Sequence, residues 1–474
     1  MRFVRGPKTL LFIVALVALC SSGAFSQTPG DVSIQPGKVV EKVVIQSHPD
    51  QSYALFLPST YTPDKAWPTV FCLDPRARGK VALERFTAAA EKYGYIVACS
   101  NNSRNGLNWS VIGEIFTDFW DDVHAHFAVD EKRTYAAGFS GGSRLASTYA
   151  SRCRGCLAGV IGSGAGFPGD IAPDAKTPFA YFGIVGVDDF NFGEMWQLEK
   201  RLSKLTAPYH FENFAGGHEW APLENLDRAL AWLTLQAMRT GSAVKNESFV
   251  ESQFNSRMTV ANDLLAKRQF LDAAAAFSSI VRDFQELREV TAAADKAEGL
   301  SKSDDYKKES KTEEELYRQQ LREAGEIRMF WMKAPDPDET SSGRAIATDR
   351  LSGWKKKKEL PTDSKDRRLA RRILSHLLIE SFESSQASQR NNDYTGAIAN
   401  LELAKAIDSK NANTAYEIAR LHALKRERKA ALESLEEAIT LGFKDLARIK
   451  AEDAFTNIAS DPRFEKLLTT LSGQ

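Results

Sequence analysis

Short β-type runs alternate with helical stretches from about residue 38 to residue 240, and beyond Leu235 the strands stop. No other feature of the chain restricts its fold as much. The runs at 39–45, 52–57, 68–73, 95–98, 133–137, 157–161, 179–185 and 209–214 are mostly bounded by Gly, Pro, Asn or Asp. The first two flank a turn at His48-Pro49-Asp50 and are expected to pair antiparallel. The others are separated by helical stretches such as 81–93 and 143–151, which predicts a mainly parallel sheet buried on both faces. Residues 250–330 and 365–474 are rich in Ala, Leu, Glu, Lys and Arg, so an all-α region is expected to follow. A chain of 474 residues has room for about three structural units.

Lys plus Arg and Asp plus Glu both number 62, so no general charge excess draws the chain to nucleic acid or anionic lipid. Neither is expected as a partner. At the N-terminus Arg2, Arg5 and Lys8 precede an apolar run at 10–19, and Ser21-Ser22-Gly23-Ala24-Phe25-Ser26 follows. That is the layout of a secretory signal peptide cleaved after Ser26, with Ala24 at −3. The alternatives are an uncleaved anchor, for which the run is short, and a lipid on Cys20, for which Leu19 is a poor neighbour. No later segment reaches the apolar length of a membrane span. The mature chain is therefore expected in the periplasm or outside the cell, with no membrane insertion. Four cysteines then remain. Cys153-Arg154-Gly155-Cys156 has the spacing of a zinc or redox motif, but two further ligands are not evident nearby. Structural thiols or a small disulfide loop are expected there, with no metal and no cofactor.

Gly138-Phe139-Ser140-Gly141-Gly142 follows the run at 133–137 and opens the helical stretch at 143–151. A GxSxG sequence in a strand–turn–helix setting is the nucleophile elbow, whose sharp turn needs small neighbours. A serine hydroxyl is a poor nucleophile without a base. Of the seven histidines, His48, His124 and His126 precede the serine, His210 sits inside the last run, and His376 and His422 lie in the helical half. His218, in Gly216-Gly217-His218 directly after the last run, is the candidate base. Asp188 and Asp189, after the run at 179–185, are the candidate acids that would hold its imidazole. The oxyanion hole needs two backbone N–H groups. Gly141 supplies one; the second comes from Asp74-Pro75-Arg76-Ala77, where Pro75 has no N–H, so Arg76 or Ala77 must donate, and Arg76 is preferred. The Asn-rich segment 100–109 follows the run at 95–98 and should face the same site, which makes Asn101 and Trp109 candidate substrate contacts against the plainer reading of a solvated turn.

On these motifs residues 40–240 resemble the α/β-hydrolase superfamily, especially its compact dienelactone-hydrolase and esterase/depolymerase-like members. The resemblance rests on the elbow, the Ser, Asp, His order and the spacing, 49 residues from Ser140 to Asp189 and 29 from Asp189 to His218. It implies an α/β-hydrolase fold, hydrolysis through an acyl-enzyme, and no metal or organic cofactor. The Gly-x-x-Asp spacing usual in such hydrolases favours Asp189 over Asp188. The loop at 74–79 lacks the HGGG pattern of many lipases. In the helical half, Tyr394, Ala397, Leu401 and Ala404 recur 34 residues later as Arg428, Ala431, Leu435 and Ala438, the tetratricopeptide period. Phe270, Ala273, Phe277 and Ile280 follow the same order. This half resembles tetratricopeptide repeats, which implies a protein or substrate docking module.

The expected organisation is a leader at 1–26, an α/β-hydrolase domain at 27–242, a helical segment at 243–333, a loop or linker at 334–364 and repeats at 365–474. The loop reading rests on three prolines and the run Lys355 to Lys358. The expected function is an exported serine hydrolase acting on a carboxylic ester through Ser140, Asp189 and His218. A peptidase of the same fold, or an interaction scaffold built on a degenerate hydrolase, are the alternatives. The hydrolase half is expected to act on a small ester without the helices.

Overall fold

The structure, a computed structural model, describes residues 34–333 and 337–472. The leader read from residues 1–26 lies outside the described residues. Eight strands form one sheet: β1 (Val39–Val44), β2 (Ser52–Phe56), β3 (Trp67–Leu73), β4 (Ile96–Ser100), β5 (Val129–Phe139), β6 (Gly159–Ser163), β7 (Ala180–Gly186) and β8 (Tyr209–Phe214). Their order across the sheet is β1-β2-β4-β3-β5-β6-β7-β8. The first two pairs, β1–β2 and β2–β4, are antiparallel and all later pairs are parallel. Each expected run became a strand. The central parallel strands are mostly apolar because helices cover both faces, while β5 is polar in its first half. Every residue of β3 and β7 is buried.

Helices α1 (Gly79–Tyr93), α2 (Trp109–His126), α3 (Gly141–Arg152), α4 (Phe192–Leu202) and α5 (Leu223–Arg239) flank the sheet. The helical half continues with α6 (Glu247–Ala266), α7 (Phe270–Phe284), α8 (Thr291–Lys302), α9 (Asp304–Met332), α10 (Pro337–Lys358), α11 (Lys365–Arg390), α12 (Tyr394–Ile407), α13 (Ala412–Leu424), α14 (Arg428–Thr440), α15 (Leu446–Ala451) and α16 (Pro462–Ser472). The fold class expected from the sequence is therefore the one observed. Helices α12 and α14 begin 34 residues apart, at Tyr394 and Arg428, and each buries its Ala, Leu, Ala set against a neighbouring helix. Helix α7 begins at Phe270 and buries Ala273, Phe277 and Ile280 in the same way. Cys153 and Cys156 form a disulfide at the end of α3, while Cys72 and Cys99 face each other, reduced and buried, on β3 and β4. Among the described residues no helix is long and apolar enough to cross a membrane, and no group of three or more His, Cys, Asp or Glu is arranged to hold a metal ion.

Two expectations need correction. Residues 334–364 are not a loop: α10 occupies most of them. Two of the three prolines that suggested a loop mark the ends of the helix, Pro337 at its first position and Pro361 beyond its last, where proline is tolerated, and Pro335 lies outside the described residues. The two halves are also not separate modules, since residues 35–474 form one compact unit. One joint between them is a buried ionic cluster. Asp283 of α7 accepts from Trp232 Nε1 at 2.9 Å and Gln236 Nε2 at 3.1 Å, both on α5, and from Arg257 Nη2 of α6 at 2.7 Å. Burial alone would raise the Asp283 carboxyl, but Arg257, the His210 ring and Arg282 outweigh it and hold the carboxyl far below the usual range.

A carboxyl depressed in the folded state stabilises above its unfolded pKa of about 3.9 and loses that contribution as pH falls through its folded value. Asp283→Ala would leave Arg257 buried without a partner and is expected to cost about 3–5 kcal/mol at neutral pH. Thermal unfolding of both proteins should show the Tm deficit shrinking as pH drops below about 4. A deficit constant from neutral pH to pH 3 would remove Asp283 as the ionic joint.

Candidate active site

Strand β5 delivers Phe139 to the C-terminal edge of the sheet, and the chain turns into α3 at Ser140. Ser140 has φ +52° and ψ −121°, a strained conformation for a residue with a side chain. A Cβ on Gly138 would lie 2.3 Å from the Gly142 carbonyl carbon, and one on Gly142 would lie 2.1 Å from the Leu73 carbonyl oxygen. The glycines of the motif are thus fixed by contact with β3 and with each other. Ser163 on β6 accepts the Ser140 N–H at 2.8 Å.

The structure brings Ser140, His218 and Asp189 together. His218 Nε2 lies 2.8 Å from Ser140 Oγ, and Nδ1 lies 3.0 Å from both Asp189 carboxylate oxygens. One tautomer satisfies every contact, with Nδ1–H donating to Asp189 and Nε2 accepting from the serine hydroxyl. Asp189 is fully buried and also accepts the Asn191 N–H at 2.8 Å. The imidazole sits between Phe139 at 4.8 Å and Phe190 at 4.4 Å, ring centre to ring centre. The loops that carry acid and base interlock. Asp188 N–H donates to Gly216 O at 2.9 Å, and a Cβ on Gly186 would lie 2.5 Å from the Gly216 and Gly217 carbonyl oxygens. Asp188 does not face His218; it pairs with Arg371.

Gly141 opens α3, so its N–H has no acceptor within the helix and lies at the positive end of the helix dipole. Arg76, expected to supply the second N–H, is a correction: that amide donates to Asp74 Oδ1 at 2.8 Å. The Ala77 N–H is taken as well, by Asp74 O at 3.1 Å. The reason is Asp74 itself. Its buried carboxylate also accepts from Arg78 Nε at 2.9 Å and Trp220 Nε1 at 2.9 Å. Burial would raise this carboxyl, but Arg78, Trp220 and the Arg76 N–H together hold it below the usual range.

Asn101 is a second correction. Its Nδ2 donates to Glu41 O at 3.1 Å and Ser52 Oγ at 3.2 Å, so it fastens the end of β4 to β1 and β2 rather than facing Ser140. Trp109, half-exposed at the start of α2, does line the cleft. The side chain from the Asn-rich segment that reaches the site is Asn105. Its carboxamide lies over Gly141, with Oδ1 and Nδ2 at 1.9 Å and 2.9 Å from where a Gly141 Cβ would stand. The position is held by Asn105 N–H donating to Pro75 O at 3.0 Å.

A cavity of about 420 Å³ opens over Ser140, Gly141 and Asn105. One wall is α11, through Ile379, Glu383, Gln386 and Arg390. Arg144 of α3 is locked by a two-pronged ion pair with Glu194 at 2.8 Å and 2.7 Å. The helical half also grips the acid loop. Arg372, 2% exposed, donates Nε to Val187 O at 2.8 Å, and its guanidinium lies 4.0 Å from the Phe192 ring centre. Gln320 of α9 donates to Phe190 O at 2.6 Å, and His376 packs on the Phe190 ring at 5.8 Å. These contacts were out of reach of sequence reasoning, because nothing local to α11 marks it as lying against a loop some 180 positions earlier.

No family model matches the sequence, and no curated protein matches it. Solved structures similar to this chain include a ferulic acid esterase, 20% identical over 42% of this chain and 97% of the other, with a TM-score of 0.34. Another is the fluorophosphonate-binding serine hydrolase F of Staphylococcus aureus, 17% identical over 39% and 92%, with a TM-score of 0.33. A third is the S-formylglutathione hydrolase of the same organism, 17% identical over 43% and 99%, with a TM-score of 0.33.

Arg371→Ala in the full chain releases one of the contacts by which the helical half holds the acid loop. It is expected to slow covalent labelling of Ser140 by a fluorophosphonate by roughly 10- to 100-fold, the scale of a displacement near 1 Å in the reacting geometry. Circular dichroism should remain that of the parent. A labelling rate equal to the parent's would show that α11 is only a neighbour of the loop.

Proposed function

We propose that this chain is an exported serine hydrolase that cleaves carboxylic esters through an acyl-enzyme on Ser140. The observation that carries the reading is the single imidazole bonded to both the strained serine and a fully buried carboxylate. Such an arrangement activates the hydroxyl and stabilises the imidazolium that forms when it reacts. Ser140 Oγ attacks the ester carbonyl carbon while His218 Nε2 takes its proton. The tetrahedral oxyanion receives the Gly141 N–H and Asn105 Nδ2–H. Collapse of the intermediate breaks the bond to the alcohol oxygen, and His218 returns the proton to that oxygen. Water, deprotonated by the same imidazole, then attacks the acyl-serine and releases the acid.

Asn105 takes the second donor role because the two amides of the preceding loop are committed to Asp74. Carboxamide side chains serve this purpose in other oxyanion holes. The close seat of Asn105 over Gly141 lets one oxygen accept from both. The helical half is read as a repeat array of tetratricopeptide type on the 34-residue recurrence of buried Ala and Leu. Its α11 wall makes it a substrate-docking element, with a protein partner as its other expected use.

Ser140→Ala is expected to abolish fluorophosphonate labelling and to reduce kcat on a p-nitrophenyl ester by a factor on the order of 10⁶. Undiminished turnover would remove Ser140 from the chemistry, and no turnover by the parent would leave the scaffold reading in its place. Asn105→Leu keeps the branching of the side chain without the donor. Its kcat should fall on the order of 10²- to 10³-fold with little change in KM. A kcat equal to the parent's would return the second donor to the backbone.

A further inference from the structure

The cleft is not electrically uniform. At its inner end the Glu383 carboxyl, raised by burial, feels the opposing pull of Arg144 and His218, and Arg144 has an ion-pair partner in Glu194. At its outer end two guanidinium groups stand without one. Arg104, in the loop after β4, and Arg390, in the last turn of α11, both line the cleft, and neither makes an ion pair or a side-chain hydrogen bond among the described residues. They meet at one corner. Arg390 Nη1 lies 3.5 Å from where a Cβ on Gly106 would stand, two residues beyond Arg104. The backbone of Arg104 is fixed by its bridge to Arg76. Glu383 and Arg390 are seven residues apart on one helix, so the inner and outer ends are separated by about 10 Å along its axis. Leu107 and Trp109 line the same cleft, which gives it an apolar surface as well as a cationic corner.

We infer that the ester this site takes carries an anionic group, a carboxylate in the first instance, held by Arg104 and Arg390 at the outer end of the cleft that opens over Ser140. The inference rests on the esterase reading of Ser140. Guanidinium groups pair with carboxylates two-pronged and cannot lose their charge, so an unpaired pair at a cleft mouth selects anions. The scissile carbonyl sits at Ser140, an apolar stretch lies along Leu107 and Trp109, and the anion reaches the corner. One arginine comes from each half of the molecule, so the helical half contributes to the choice of substrate.

The test uses matched pairs of esters on the full mature chain. For an anion on the acyl side, the p-nitrophenyl monoester of suberic acid is compared with p-nitrophenyl octanoate. For an anion on the alcohol side, 4-carboxyphenyl octanoate is compared with phenyl octanoate. The readout is the ratio of kcat/KM, charged over neutral, within each pair. In the parent one pair should show a ratio above one, and added salt should lower it by screening. In Arg104→Gln/Arg390→Gln that ratio should fall about tenfold, the scale of one charge-assisted hydrogen bond. A ratio that is the same in parent and double variant for both pairs overturns the inference while leaving the esterase reading intact. No turnover of any of the four esters, with Ser140→Ala indistinguishable from the parent, overturns the esterase reading and this inference with it.

Discussion

A serine held at φ +52° persists only where its surroundings leave it no alternative, and the rest of the site is arranged around that one turn. Ser140 is tied back to β6 through Ser163, and Gly142 is pressed onto Leu73 at the end of β3. Because β3 must end where Gly142 meets it, the next residue, Asp74, falls inside the protein rather than on its surface. A buried carboxylate there needs donors, and it takes Trp220 Nε1 among them. Trp220 is two residues from His218. The strain at Ser140 is thus linked, through two contacts, to the placement of His218.

The sheet was legible in the sequence because strands buried on both faces read as unbroken apolar runs, and each run is punctuated by residues that turn the chain. Ser140 and His218 were legible because their signals are local: a Gly-flanked serine after a strand, and a histidine in a Gly-Gly turn after the last one. The choice of Asp189 over Asp188 leaned on a spacing, and the geometry agrees, with Asp188 turned away to Arg371. Arg76 failed for a reason no spacing reveals. Whether a backbone N–H is free depends on what neighbouring side chains accept, and Asp74 had to be seen buried before its claim on that amide was visible. Asn101 and Asn105 stand in the same polar segment, and only the direction of the loop decides which one meets Ser140. The helix at 337–358 was missed because its prolines were read as breakers when they are terminators.

The largest surprise lies in the relation between the halves. A chain that changes from alternating strands to helices reads as two modules in series, and residues 27–242 contain a complete sheet with all three reacting side chains. Yet the loop that carries Asp189 has its carbonyls and its neighbouring acid held from outside that sheet, by Arg372, Arg371 and Gln320. Loops between elements are the least stable parts of a fold. This one must keep a carboxylate within hydrogen-bonding distance of an imidazole, and the helices provide the rigidity that the loop lacks. The buried cluster around Asp283 joins α5 to α6 and α7 and so fixes the angle at which that support arrives.

Two kinds of polar arrangement therefore meet in one cleft, and they differ in what they demand of the chain. At the inner end, Arg144 is paired with Glu194 and His218 with Asp189, while the Gly141 N–H is left open for an incoming acceptor. At the outer end, Arg104 and Arg390 remain solvated and uncompensated, so they add little to stability and keep their full charge for whatever enters. The inner arrangement is built mainly from loops of the sheet and can change only as a unit. The outer one takes a residue from α11, a helix whose exposed positions tolerate substitution. On the proposed reading, the chemistry stays with the sheet and the helical wall sets which ester fits.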